Sequence, residues 1–351
     1  MFYLTLIICF ICSVLITPLM IKLAYRLGAI DRPNQRKVHA TLMPRLGGLG
    51  IYISFLLGIF ILGPDSKYHL AIMIGSLIIV AIGILDDIFQ LSAKVKFVAQ
   101  IAAALIVVFY GGIDVDFINL PFGGQLDFGM LNVPITILWI VGVTNSINLL
   151  DGLDGLAAGV SSIALISISS MAIIMGDTYV MAIGFIILAC TLGFLPFNFH
   201  PAKIFLGDTG ALFLGYMIAV LSLLGFKNVT FISFIIPVII LGVPLSDTIF
   251  AIVRRLVKKA PLAAPDKSHV HHCLLNLGFT HKQTVILIYS VSALFGLAGF
   301  VFSMTTMWGS LLILTLMLLA IELVVESVGL IDKNYKPLLN MMRSIKFARN
   351  R

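Results

Sequence analysis

The sequence predicts an all-α, polytopic integral membrane protein of about eleven transmembrane helices, with its N-terminus outside and its C-terminus in the cytoplasm. Three observations predict it. Of 351 residues, 60% are hydrophobic and 11% charged, with a mean hydropathy of +1.10, whereas a soluble domain carries about 25% charged residues. The apolar residues fall in serial runs suited to a hydrocarbon core of roughly 30 Å. The basic residues gather in alternate breaks between those runs.

The runs lie at 2–20, 46–62, 70–85, 97–111, 133–149, 156–175, 180–196, 211–226, 231–250, 285–303 and 309–325. Several fall short of the roughly 20 residues a simple span wants, and those flank acidic motifs, so some ends sit inside the bilayer. The first basic residue, Lys22, follows the first run instead of preceding it, which argues against a cleavable signal peptide and puts the N-terminus outside. Alternation then brings the breaks at 22–45, 86–96, 150–155, 197–210 and 251–284, and the tail after 326, to the cytoplasmic side. Of the 23 Lys and Arg, only Lys67 and Lys227 lie elsewhere. Residues 1–330 form one transmembrane domain, and the basic tail 331–351 rests on the inner leaflet. On the outer side, the stretch GGIDVDFINLPFGGQLDFGMLN has the turn residues of a small hairpin.

The net charge of +7 follows from these basic breaks, so no nucleic-acid partner is needed to explain it; anionic membrane lipids and a phosphorylated substrate fit better. Cys9, Cys12 and Cys190 lie in apolar runs and Cys273 in a polar break, which excludes a disulfide framework.

Every dense polar cluster falls on the cytoplasmic side. Asp86 and Asp87 end an apolar run. An acid at this depth costs roughly 2.5–3.5 kcal/mol on insertion scales, so it faces protein or a wet cavity. At a helix C-terminus it also opposes the macrodipole, which makes capping a poor explanation. Lys94 and Lys96 follow within reach of an anionic ligand. In NSINLLDGLDGLAAG, Asn145, Asn148 and Asp151 are three apart and share a helix face, with Asp154 extending the series; an N-cap before Leu156 accounts for Asp154 alone. In FLPFNFHPAKIFLGDTGALFLGY, Asp208 has the position of a helix cap, yet Asn198, His200, Lys203 and Phe205 crowd the same loop. A carboxylate ligates Mg²⁺, a lysine pairs with phosphate and an aromatic stacks on a base. His269, His271 and His272 form H-x-H-H without the Cys or Glu companions of a zinc site, and suit phosphate oxygens better. Asp247 is placed to pair with Arg254 or Arg255. The first polar break contributes Asp31, Arg36, Lys37, His39 and Arg45, read either as a surface for anionic headgroups or as a specific lipid-phosphate site. Together these groups suit the joining of a nucleotide-activated donor to a membrane-embedded phosphate.

The motifs DDIFQLSAKVKF, NLLDGLDGLAAG, FNFHPAKIFLGDTGA and HVHH, in this order over roughly residues 1–330, resemble the polyprenyl-phosphate N-acetylhexosamine-1-phosphate transferases, a family that includes MraY, WecA and TagO. The H-x-H-H loop resembles the TagO side of the WecA branch. The resemblance implies transfer of GlcNAc-1-phosphate from UDP-GlcNAc to undecaprenyl phosphate in a bacterial cytoplasmic membrane. The products would be UMP and undecaprenyl-diphosphate-GlcNAc, a first membrane step of teichoic acid or another envelope polymer. It further implies Mg²⁺, with Mn²⁺ as the alternative, and a homodimer. Residue by residue, Asp208, Asp87 and Asn148 become metal ligands, and Asp86, Asp87, Asp208 and His271 catalytic groups. Asn148, Asp151, Asp154, Asn198, Lys203, Phe205, His269, His271, His272, Lys94 and Arg45 become substrate contacts. An MraY-like transferase of phospho-MurNAc-pentapeptide is the nearest rival. A transporter or lipid flippase is a rival of another class, disfavoured because the polar clusters occupy one face only.

Overall fold

The computed structural model describes residues 1–31, 42–115, 117–119, 124–225, 235–257, 259, 261, 268–330 and 336–341. Among them the chain is α-helical apart from two short antiparallel ribbons. The helices are α1 (Phe2–Leu27), α2 (Gly47–Leu62), α3 (His69–Phe89), α4 (Ala93–Leu105, extended by a π turn at Ile106–Tyr110), α5 (Asn132–Leu150), α6 (Leu156–Met175) and α7 (Thr178–Asn198). They continue as α8 (Gly207–Gly225), α9 (Ile235–Ile240), α10 (Gly242–Val257), α11 (Val270–Asn276), α12 (His281–Met304) and α13 (Met307–Val328).

Nine helical segments among the described residues are long and apolar enough to cross a membrane. They coincide with nine of the expected runs. The other two are occupied differently: α2 has only 16 residues, and the run at 231–250 is interrupted between α9 and α10. The interruption has a local cause. Pro244 sits in the first turn of α10, where its missing N–H costs nothing but where it cannot continue a preceding helix. The expected hairpin forms as β3 (Phe117–Asn119) against β4 (Gln125–Asp127), while β1 (Ile30–Asp31) pairs with β2 (Met43–Pro44). The basic tail beyond 330, apart from 336–341, and Arg32, Arg36, Lys37, His39, Lys227, Lys258 and Lys267 lie outside the described residues.

α8 is the axis of the bundle. Of its most apolar stretch, 94% of residues are buried, against 11% for α13. Its neighbours α2, α3 and α5 come close because small residues line the contacts, the packing expected where lipid gives helices no hydrophobic reason to associate. A Cβ at Gly48 would lie 2.0 Å from the Gly210 nitrogen, and one at Gly83 would lie 2.5 Å from the Thr209 Cα. Several polar residues of the apolar helices are satisfied within the helix or by a neighbour, as a bilayer favours. The Thr144, Thr191 and Ser54 hydroxyls donate to carbonyls four residues back, and Trp139 Nε1 donates to Ser222 across to α8 at 3.1 Å.

One end of the bundle gathers the polar elements. The α7–α8 loop adds to β2 and α2 through backbone bonds: Phe205 N–H donates to the Pro44 carbonyl at 2.8 Å and Gly48 N–H to that of Leu206 at 2.8 Å. The first polar break is thereby tied to the start of α8, carrying Asp31 and Arg45 with it.

Candidate active site

A cavity of about 540 Å³ opens at this end, lined by acids, bases and imidazoles from every polar cluster except the Lys94 and Lys203 positions. Its first half is a charge network at the start of α8. Asp87, at the end of α3 and 3% exposed, spends both oxygens on α8. Its Oδ1 accepts from the Asp208 N–H at 2.9 Å, and its Oδ2 from the Thr209 N–H at 3.0 Å and the Thr209 hydroxyl at 2.6 Å. It is an N-cap supplied from another helix, satisfying donors that α8 would otherwise leave bare. Gly207, at φ 73°, makes the turn, and a Cβ there would come within 2.7 Å of the Asp87 carboxylate.

With α8 so capped, the Asp208 side chain is free to face the cavity. Lys96 Nζ lies 2.6 Å from Asp208 Oδ2 and 3.2 Å from Asp86 Oδ2, so one ammonium bridges two carboxylates. Asp86 and Asp87 therefore have different partners, as residues about 100° apart on a helix should. Arg45 stands 3.7 Å from Asp31, 3.8 Å from Asp87 and 3.7 Å from Asp208, a looser pairing. Burial works against its charge, but Asp87, Asp208, Asp31 and Asp151 outweigh burial and hold the guanidinium above its ordinary range.

The second half is built on the sharp turn between α5 and α6, closed by Gly155 at φ 77°. Asp151 has no side-chain hydrogen bond among the described residues; burial, then Asp208 nearby, push its carboxyl up to about 7. Asp154 Oδ2 accepts from the Ala202 N–H at 3.1 Å and meets His200 Nδ1 at 2.8 Å. The His200 ring stacks on His281, the first residue of α12, at 4.2 Å between centroids. Tyr289 of α12 anchors the turn by donating to the Gly155 carbonyl at 2.5 Å.

The H-x-H-H motif forms the short helix α11 beside this turn. His269 is buried against Asp247, with Nδ1 2.9 Å from Oδ2, while the Val270 N–H donates to the other oxygen. Asp247 thus serves His269; Arg254 instead donates to the Leu330 carbonyl. His271 is 2% exposed, and both ring nitrogens lack partners among the described residues. Burial, with His272 against it, pushes it down to about 3, so the ring is neutral. Gly152 is needed here, because a Cβ would come 2.4 Å from His271 Nε2. His272 reaches the cavity.

Of the residues expected from sequence, Arg45, Asp86, Asp151, Asp154, Asn198, Phe205, Asp208 and His272 line the cavity. Asp87, His269 and His271 stand behind its wall. Asn198 is 2% exposed; its amide donates to the Ile204 carbonyl at 3.0 Å, bracing the α7–α8 loop. Asn148 is half-buried on the last turn of α5 and is not in the lining, and the exposed Lys94 and Lys203 are not either. Among titratable side chains, the lining contains four that the list of expected contacts lacked: Asp31, Lys96, His200 and His281. Lys96 is named with Lys94 in the sequence, and the structure separates the two: α4 begins at Ala93, so Lys96 stands about one turn in and faces the cavity while Lys94 is exposed.

A family model described as glycosyl transferase family 4 matches residues 69–226, which run from α3 through α8. The chain is 46% identical over 94% of both lengths to a probable undecaprenyl-phosphate N-acetylglucosaminyl 1-phosphate transferase of Bacillus subtilis. It is 35% identical to a decaprenyl-phosphate N-acetylglucosaminephosphotransferase of Mycobacterium leprae, over 76% of this chain and 75% of that one. It is 30% identical to the undecaprenyl-phosphate alpha-N-acetylglucosaminyl 1-phosphate transferase of Escherichia coli K12, over 79% of this chain and 77% of that one. With likeness on this scale running through the helices that build the cavity, the chain belongs to the polyprenyl-phosphate N-acetylhexosamine-1-phosphate transferase family, on its WecA and TagO branch.

Proposed function

We propose that this chain transfers GlcNAc-1-phosphate from UDP-GlcNAc to undecaprenyl phosphate at the cytoplasmic face of a bacterial cell membrane, in a Mg²⁺-dependent reaction. The observation that carries the reading is the convergence of Asp86, Asp208, Lys96 and Arg45 in one cavity at the capped start of α8. The names of the relatives support the sugar and the lipid. The one-sided distribution of Lys and Arg supports the cytoplasmic face.

In the reaction a phosphate oxygen of the lipid attacks the β-phosphorus of the donor. The P–O bond to the bridging oxygen breaks, and its electron pair leaves with UMP. A monoester's second pKa is near 6, so the acceptor arrives with its nucleophilic oxygen largely deprotonated. Lys96 and Arg45 answer the charge that gathers on the diphosphate, in a site already arranged for it. Phe205 offers a face for the base, and the Asp151–Asp154 turn a wall for the nucleotide.

The donor set fits a hard cation. Asp208 and Asp86 present carboxylate oxygens that converge on one positive group, here the Lys96 ammonium, and oxygen-only ligation suits Mg²⁺. Asp208 and Asp86 would hold the ion, and Asp87, already committed to α8, would fix Asp208. When bound, the ion would neutralise diphosphate oxygens.

The test is to incubate the detergent-purified chain with UDP-GlcNAc, undecaprenyl phosphate and Mg²⁺ and to separate the nucleotides. UMP with lipid-linked sugar, abolished by EDTA, is expected. UDP as product would overturn the transfer of a sugar phosphate. UMP only with UDP-MurNAc-pentapeptide would reassign the donor, and an intact donor in every case would revive transport.

A further inference from the structure

Outside the charge network, Asp154, His200 and His281 stand together at the opposite end of the cavity. One ligand atom from each lies within 4.8 Å of the others. They come from three separate elements: the α5–α6 turn, the α7–α8 loop and the start of α12. We propose that these three residues form a binding site for a late transition-metal divalent cation, with Zn²⁺ the best match, distinct from the hard-cation site at Asp208.

Four features carry the proposal. The donor set is two imidazoles and one carboxylate, which ligates Zn²⁺, Ni²⁺ or Co²⁺ well and Mg²⁺ poorly. The His281 Nε2 is buried and lacks a hydrogen-bond partner among the described residues, leaving a lone pair or a proton unanswered. The carboxylate is oriented in advance, because Asp154 Oδ2 accepts the Ala202 N–H at 3.1 Å, the kind of outer support that metal ligands have. Finally, all three residues line the cavity, which leaves a coordination position open to it. A tetrahedral Zn²⁺ spaces its ligands about 3.4 Å apart, given Zn–N of about 2.0–2.1 Å. The 2.8 Å separation of His200 Nδ1 and Asp154 Oδ2 is shorter than this, so that contact opens, and the His200–His281 stack, at 4.2 Å and 21° between planes, turns out of parallel, when the ion enters.

The experiment uses the full-length chain in detergent, stripped of metal and without donor or lipid, so its outcome does not depend on the transfer reaction. Zn²⁺ is titrated against a chromophoric chelator in excess Mg²⁺, and Co²⁺ is added in parallel to read its visible absorption. One equivalent of Zn²⁺ is expected, with Co²⁺ giving the bands of a tetrahedral site. His200→Gln and His281→Gln should each weaken binding by at least about 10-fold, with unchanged thermal midpoints in EDTA. His272→Gln and Asp208→Asn should leave the affinity within about 2-fold of the parent, since neither supplies a ligand. Equal loss in His272→Gln, or affinity indifferent to His200 and His281, would overturn the assignment. So would displacement of Zn²⁺ by equimolar Mg²⁺. Should either Gln variant lower the EDTA midpoint, Asp154→Asn decides by the Co²⁺ spectrum alone: loss of the tetrahedral bands supports the site, and their persistence removes it.

Discussion

The two ends of the polar cavity are built on opposite plans. At the α8 end, charges answer one another: Asp87 is bound by three donors of α8, and Lys96 bridges Asp86 and Asp208. At the α12 end, rings and one carboxylate meet through a single short contact and a stack, with the His200 side chain 37% exposed. The first end is wired into the backbone at the start of α8, whereas the second is joined by side-chain contacts and one backbone bond, Ala202 N–H to Asp154. Substitutions at the two ends should therefore fail in different ways.

The largest effect is expected at Asp208. Asp208→Asn removes a charged oxygen facing the cavity, and UMP release should fall by about 100-fold or more. Its thermal midpoint should stay near that of the parent, because the backbone bonds to Asp87 remain. Activity within a few-fold of the parent would remove Asp208 from the chemistry. Next comes Asp87→Ala, which leaves three buried donors unpaired. Each costs about 1–3 kcal/mol, so unfolding in detergent should show a clear loss of stability alongside lost activity. An unchanged midpoint would mean that α8 does not need this cap. Smaller is Lys96→Ala, expected to reduce turnover by about 10- to 100-fold, while Lys94→Ala and Lys203→Ala stay within about 2-fold because neither touches the cavity. A reversed order between Lys94 and Lys96 would break the assignment of the bridging base.

The smallest effect concerns pH. Asp151 titrates at 3.8 ordinarily and about 7 when folded, so between those values the native state holds more protons than the unfolded chain. Stability then falls as pH rises through that window. His271 acts the other way. Its folded value of about 3 lies below the ordinary 6.5, so its contribution is lost as pH falls through that range. In EDTA, Asp151→Asn should flatten the decline of the melting midpoint between about pH 4 and pH 7. A slope identical to the parent's would exclude Asp151 as its source.

Much of this arrangement was legible in the sequence, for physical reasons. Acids at the ends of short apolar runs are costly at bilayer depth, so Asp86, Asp151 and Asp208 announced themselves. The separate roles of Asp86 and Asp87 were foreshadowed by their angular offset, but that Asp87 caps a helix over a hundred residues away was not, because the cap is tertiary. His281 was hidden for a related reason. It follows Thr280, whose capping box with Gln283 makes the stretch read as an ordinary helix start, and only the packing of α12 beside the α5–α6 turn brings its ring to His200. The break between α9 and α10 was written in Gly242 and Pro244, yet the apolar composition on either side masked it. Lys203, named for its chemistry, is exposed and outside the cavity lining. Its exposure is set by the turn after Pro201, which no residue type encodes.

The burial of α8 reaches beyond packing. A helix in contact with lipid tilts or shifts when the hydrocarbon layer thickens or thins, at fractions of a kcal/mol for each ångström of mismatch. α8 meets protein along 94% of its apolar stretch, while α13, at 11%, and α1, at 28%, face outward. Changes in acyl-chain length are thus absorbed by the peripheral helices, and the spacing of Asp208, Asp86 and Lys96 is insulated from the thickness of the membrane around them.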